Sequence, residues 1–284
     1  MKQTVTLPGG ERVPALGQGT WYMGEQSVLL EAEIASIRVG IEHGMTLIDT
    51  AEMYGDGAAE RMLGKALAGI DRESLFLVSK VYPWNAGRAN IFTSLENSLR
   101  RMNTEYLDLY LLHWPGSVPL RETVECMEEL KSKGKIRYWG VSNFDTHDMK
   151  KLWNTPGGEA CAANQVLYHV GSRGIEYDLL PWMRERGIPA MAYCPLAQGG
   201  SLRRQLARNS ALINIAQEKS TTVFAVMLAF LLAQKQVIAI PKASTPSHTL
   251  ENAQAAQLCL SAEDLRQIDV AFPAPNHKLP LDMQ

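Results

Sequence analysis

At 284 residues with 46% hydrophobic content, the chain can bury a large core and matches the roughly 250 residues of one (β/α)8 barrel, so a single domain over residues 1–284 is expected. Lys and Arg number 28 against 30 Asp and Glu, a net charge of -2 with no basic block, which argues against nucleic-acid and membrane-surface roles. Four scattered cysteines, Cys126, Cys161, Cys194 and Cys259, form no CxxC pair; neither a zinc knuckle nor a disulfide framework is indicated, and a reducing, cytoplasmic setting fits.

The first fourteen residues lack the basic and apolar blocks of a signal peptide. Residues 2–7 and 11–13 flank Pro8-Gly9-Gly10 and read as a short β-hairpin, because a Gly pair supplies the positive φ of a tight turn. That hairpin is expected to plug the bottom of a barrel. Short apolar runs ending on polar residues then recur at 47–49, 75–80, 107–113, 139–143, 162–165, 190–193 and 238–242. Runs of this kind suit parallel strands covered on both faces, with the polar carboxyl ends meeting at one rim. Apolar residues at helical spacing follow them: Ile34, Ile37, Ile41; Ala59, Met62, Leu63, Leu67; Ile91, Leu95, Leu99, Met102; Val124, Met127, Leu130. Strand alternating with helix predicts an α/β fold, a (β/α)8 TIM barrel preceded by the hairpin. Residues 195–210 read as a long polar connection. The apolar run 223–233 falls short of the roughly 20 residues of a membrane span and predicts a buried helix. Thr245-Pro246 reads as a helix start, and the proline-bearing stretch 272–284 as an irregular tail folding near the barrel mouth.

Asp49, Lys80 and His113 end successive strands, and Tyr54 follows Asp49 by five residues, so all four can converge at one rim. A phenol has a pKa near ~10 and needs a cation to stabilise its phenolate, which a lysine held by a carboxylate supplies. The set reads as a tuned proton donor. A structural Lys80–Asp49 ion pair with Tyr54 as a plain loop aromatic is the alternative, and the convergence favours chemistry. His113, followed by Trp114, places an imidazole beside an aromatic wall where a carbonyl could be oriented. The six histidines show no compact metal-ligand spacing, and no metal is expected.

The stretches Gly17-Gln18-Gly19-Thr20-Trp21, Leu47-Ile48-Asp49-Thr50-Ala51-Glu52-Met53-Tyr54-Gly55, Val78-Ser79-Lys80 and Leu111-Leu112-His113-Trp114 resemble those of the aldo-keto reductases, as do Gly140-Val141-Ser142-Asn143-Phe144, Asn164-Gln165, Ala192-Tyr193-Cys194-Pro195-Leu196 and Ile240-Pro241-Lys242, in the family's order. Within it, Gly19-Thr20-Trp21-Tyr22-Met23-Gly24 and Asn164-Gln165-Val166-Leu167-Tyr168-His169 are most similar to bacterial methylglyoxal reductases. The resemblance implies NADPH-dependent reduction of a small aldehyde or α-oxoaldehyde, with Tyr54 as general acid, Lys80 and Asp49 depressing its pKa and His113 orienting the carbonyl; a monomer is expected. It implies that Ser142, Asn143 and Gln165 hold the nicotinamide carboxamide and that Tyr193 stacks on the ring, against which ordinary turn capping by Asn143 and Gln165 stands as the alternative. It further implies cofactor contacts from Gly19, Thr20, Trp21 and Asp49, from Cys194, Pro195, Leu196 and Gln198 in the connection that closes over the pyrophosphate, and from Ile240, Pro241, Lys242, Ala243, Ser244 and His248 near the adenosine 2'-phosphate. Glu251 and Asn252 would contact adenine, and Trp21, Tyr54, Trp84, His113 and Trp114 the substrate.

Two positions depart from the family's pattern: His248 stands where many NADP-dependent members carry Arg, and Cys194 where Ser is common. Gly199-Gly200 could hinge the connection, while Arg203-Arg204 read equally as a solvated pair. Two other functions share this constellation. One is a Schiff-base aldolase with Lys80 as nucleophile, the other a redox-sensing subunit that keeps the cofactor site but docks on a partner.

Overall fold

The computed structural model describes residues 3–284; Lys2, the expected start of the hairpin, lies outside them. Strands β1 (Thr4–Thr6) and β2 (Arg12–Pro14) pair antiparallel with Val5 opposite Val13. Only Gly10 of the turn glycines takes the left-handed conformation, at φ 86°. The hairpin packs at the amino-terminal end of the barrel: Arg137 donates to Glu11, and Gln236 to the Thr6 carbonyl.

Strands and helices then alternate as β3 (Gln18–Gly19), α1 (Leu30–Glu42), β4 (Leu47–Asp49), α2 (Ala58–Ala66), β5 (Phe76–Val81), α3 (Ile91–Met102), β6 (Leu107–Leu112), α4 (Leu120–Ser132), β7 (Ile136–Ser142), α5 (Thr146–Trp153), β8 (Asn164–Leu167), α6 (Leu179–Arg184) and β9 (Ala190–Tyr193). Helices α7 (Gly200–Ala207), α8 (Ser210–Glu218) and α9 (Val223–Leu232) precede β10 (Val237–Ala239), and α10 (Pro246–Ala255) and α11 (Ala262–Ala271) end the regular structure. Strands β3 to β10 form one parallel sheet in sequence order. The Gly17 N–H donates to the Ala239 carbonyl and the Ala239 N–H to that of Ala15, which joins β3 to β10 and closes the barrel.

β3 is the eighth strand, absent from the seven apolar runs because Gly17-Gln18-Gly19 has no apolar bulk. Gly17 permits close approach to β4, and Gly19 to the chain just past β10. A Cβ on Gly17 would lie 2.6 Å from the Leu47 carbonyl oxygen, and one on Gly19 would lie 2.8 Å from that of Ile240. β7 begins three residues earlier than the apolar run, and β8 is shifted two residues toward its carboxyl end.

The predicted stripes face the sheet: Ile37, Met62, Leu63, Leu95, Leu99, Met102, Val124, Met127 and Leu130 are buried, each contributing about 1.5–3 kcal/mol by leaving water. Helix α9 is buried along nearly its whole length. Among the described residues no single helix is long and apolar enough to cross a membrane, and α8 and α9 meet at 91°.

The connection 195–210 is not wholly irregular, for 200–207 is α7. Its Leu, Arg, Gln and Ala residues are good helix formers, and Leu206 anchors it in the core. The stretch 272–284 has no regular structure and crosses to the carboxyl-terminal rim, tied by Arg173 to the Phe272 carbonyl, by Lys278 to Asp145 and Asp178, and by Ser172 to Asp282.

Candidate active site

Parallel register carries Asp49 to the end of β4, Lys80 near the end of β5 and His113 just past β6. Tyr54 returns to the same point because the loop after β4 turns tightly, the Tyr54 N–H donating to the Ala51 carbonyl and Gly55 adopting φ 56°. The Lys80 ammonium, fully buried, donates to Asp49 Oδ2 at 2.8 Å, to the Thr50 carbonyl at 2.8 Å and to the Tyr54 hydroxyl at 2.9 Å. The ring of His113 stands edge-on to that of Tyr54, centroids 5.8 Å apart.

Burial dominates the electrostatics of this group. It raises the Asp49 carboxyl, opposed by Lys80 and by the Gln165 amide, and it lowers the Lys80 ammonium, opposed by Asp49. Tyr54 is driven well above the ordinary phenol value by burial and then by the Asp49 charge. The expected depression of the Tyr54 pKa is therefore not what this environment imposes, since desolvation of a phenolate and a nearby carboxylate both oppose ionisation. Burial, reinforced by Lys80, pushes His113 down to about 2. With its ammonium directed at three acceptors, Lys80 has no lone pair aimed at a substrate, which weighs against the imine-forming alternative.

Two lobes meet at Trp21, Tyr54 and Tyr193. The larger, about 350 Å³, is lined on one side by Gly19, Thr20, Trp21 and Asp49, on another by Cys194, Pro195, Leu196 and Gln198, and on a third by Ile240, Pro241 and Lys242. The smaller, about 70 Å³, lies among His113, Trp114, Ser142, Asn143 and Gln165.

The three polar residues of the smaller lobe are bonded to one another and to the centre. Gln165 Nε2 donates to Asp49 Oδ1 at 2.7 Å, Ser142 Oγ to the Gln165 carbonyl at 2.9 Å, and Asn143 Nδ2 to the His113 carbonyl at 3.2 Å. The Tyr193 hydroxyl donates to Asn143 Oδ1 at 2.8 Å. Asn143 has φ 58°, which suits the turn-capping alternative, yet its side chain also spans from His113 to Tyr193. Cys194, likewise left-handed at φ 49°, has its thiol pushed up to about 11 by burial.

Some expected residues stand apart. Ala243, Ser244, His248, Glu251 and Asn252 lie beyond the walls of both lobes, on α10 or leading into it. Thr245 caps that helix with Pro246 in its first turn. Asn252 is buried while His248 and Glu251 are exposed. Trp84 is 58% exposed and reaches the smaller lobe only through Trp114, 5.8 Å away between ring centroids. Tyr22 and Arg203 of the larger lobe, and Met53 and Gln284 of the smaller, were not singled out as site residues. Tyr22 had only its adjacency to Trp21 as a signal, whereas Gln284 arrives through the tail.

A closed parallel barrel with a Tyr–Lys–Asp–His group at its carboxyl rim is the frame of an aldehyde or ketone reductase. Residues 15–271 match the aldo/keto reductase family, and the chain belongs to it as an oxidoreductase. It is 54% identical to the methylglyoxal reductase YeaE of Escherichia coli (strain K12) over 282 residues, 99% of each chain, and 34% identical to the glyoxal reductase of Bacillus subtilis (strain 168), over 95% of this chain and 92% of that one. Its backbone superposes with TM-score 0.97 on an aldo/keto reductase from Klebsiella pneumoniae solved in complex with NADP and acetate, 54% identical, with 100% of both chains covered.

Proposed function

We propose that this protein reduces small aldehydes, α-oxoaldehydes such as methylglyoxal among them, to alcohols with NADPH, Tyr54 giving the proton. The observation that carries the reading is the Lys80 ammonium 2.9 Å from the Tyr54 hydroxyl where the two lobes meet. The names of the relatives, and the NADP in the Klebsiella pneumoniae structure, support it.

The larger lobe fits a long anionic ligand with a flat inner end: Tyr193 offers an aromatic face, Lys242 and Arg203 offer cations, and the first turn of α10 follows three residues past Lys242. Ser142, Asn143 and Gln165 would take the carboxamide, residues 194–198 the pyrophosphate, Lys242 with Ala243, Ser244 and His248 the 2'-phosphate, and Glu251 and Asn252 the adenine. When bound, the nicotinamide supplies the hydride.

The protein's own contribution is orientation and a proton. His113, held neutral by burial, donates a hydrogen bond to the aldehyde oxygen without competing as an acid. Tyr54 stays protonated at neutral pH and donates to the forming alkoxide; burial makes its phenol a weaker acid than a free one, so the transfer depends on a charge that receives the phenolate. The phenolate left behind lies beside the Lys80 ammonium, which neutralises it, and Asp49 holds that ammonium in place. The test is NADPH oxidation, followed by absorbance, with methylglyoxal and a panel of aldehydes. Tyr54→Phe should lower turnover by a factor on the order of 10² or more while NADPH binding, read by fluorescence, is retained; full turnover in the variant would overturn the assignment.

A further inference from the structure

Glu52 lies between Asp49 and Tyr54 and has no part in the reaction described above. The residue is 8% exposed, and its carboxylate accepts from the Tyr82 backbone N–H at 2.7 Å and from the Asn85 amide at 3.2 Å, both on Oε1. The groups that act on it are neutral donors and a second carboxylate, Glu60, with no cation partner among the described residues. A buried carboxylate is costly unless hydrogen-bonded. Both bonds go to one short turn, with the Ser94 hydroxyl of α3 a weaker neutral donor beside them, which places a constraint where a hydrophobic residue would have packed passively.

That turn, 82–85, does not line the smaller lobe itself but backs Trp114, which does. Tyr82 and Trp84 stack with centroids 4.4 Å apart, both meet Trp114 edge-on, at 6.0 Å and 5.8 Å, and Trp114 lies 4.8 Å from His113. At its other end Glu52 is anchored by its own backbone N–H, which donates to the Lys80 carbonyl at 3.3 Å. One side chain therefore ties the strand and loop that carry Lys80 and Tyr54 to the aromatic rim facing His113.

We infer that Glu52 is a positioning residue that holds this rim and thereby sets which aldehydes fit the smaller lobe, acting on substrate fit and not on the proton transfer. The inference rests on the reading of Tyr54 and His113 as the reaction centre. It is tested with Glu52→Ala, Glu52→Gln, Trp84→Ala and the Glu52→Ala/Trp84→Ala pair, using methylglyoxal and para-nitrobenzaldehyde as substrates and NADPH fluorescence for cofactor affinity. Glu52→Ala should raise KM for the aryl aldehyde about 10-fold, with kcat for methylglyoxal changed less than about 3-fold and NADPH affinity unchanged. Glu52→Gln keeps an Oε1 acceptor and should retain the parent selectivity. Trp84→Ala should reproduce the KM shift, and the double variant should add little to either single one, because both act through one turn. An equal fall of kcat with both aldehydes, additive effects in the double variant, or unmoved selectivity in Glu52→Ala would overturn it. Should Glu52→Ala not fold, Asn85→Ala removes one of the two bonds and must shift KM in the same direction; no shift overturns the inference. A parent enzyme that reduces no aldehyde would instead overturn the proposed function, and the two failures are thus distinguishable.

Discussion

Gln165 Nε2 donates to Asp49 Oδ1 at 2.7 Å, joining β8 to β4 across the mouth of the barrel over 116 positions of sequence. Asp49 is thereby shared: one oxygen accepts from Gln165 and the other from Lys80. Both bonds favour the carboxylate against the burial that raises its pKa. Gln165→Leu should raise that pKa further, so the acid limb of the kcat profile moves to higher pH than in the parent, at a stability cost of about 1–3 kcal/mol for the bond lost to a buried group. Parallel pH–rate profiles check this, and superimposable acid limbs would refute it.

Lys80→Met leaves the Asp49 carboxylate buried without its cation. Removing one partner of a buried pair costs about 3–5 kcal/mol, and Asp49→Asn in the same chain should restore most of that loss while reduction stays absent. Urea unfolding of the parent and the two variants measures it. A Lys80→Met variant as stable as the parent would mean that Asp49 is already neutral in the fold.

Burial lowers two histidines, His113 to about 2 and His169 to about 4. Each is neutral in the folded chain where the unfolded chain takes up a proton, so the unfolded state binds more protons below about pH 6.5 and stability falls as pH falls. For each group the penalty is absent well above about pH 6.5 and grows on acidification toward about 1.4 kcal/mol per pH unit, down to about pH 4 for His169 and further for His113. Replacing both with Asn should flatten the slope of unfolding free energy between pH 6.5 and about 4.5 by nearly two protons.

Cys194 lines the larger lobe with its thiol held at about 11, whereas Cys259 is exposed. Iodoacetamide at about pH 8 should therefore modify Cys259 first and Cys194 slowly, and saturation with NADPH should slow Cys194 alone. Peptide mass spectrometry reads both sites. Equal labelling of Cys194 with and without NADPH would place the cofactor elsewhere.

The barrel was legible because seven of its strands are apolar runs and its helices carry apolar stripes, signals that depend only on neighbouring residues. Asp49, Lys80 and His113 were legible for the same reason, since polar residues closing apolar runs stand out locally, and Tyr54 by its short spacing from Asp49. Trp84 illustrates the limit: an aromatic in a rim loop reads the same whether it lines a lobe or, as here, lies mostly in solvent behind Trp114.

The sequence by itself determined the alternation of strand and helix, the hairpin, the Thr245 cap and the kinds of side chain delivered to the rim, all of which follow from periodicity, turn chemistry and spacing. Only the tertiary structure decided that β3 closes the barrel, that Gln165 bonds Asp49, that Gln284 reaches the smaller lobe and that the Tyr54 pKa goes up. Those outcomes depend on close backbone approach, on contacts between distant segments and on desolvation, and none of the three leaves a periodic trace along the chain.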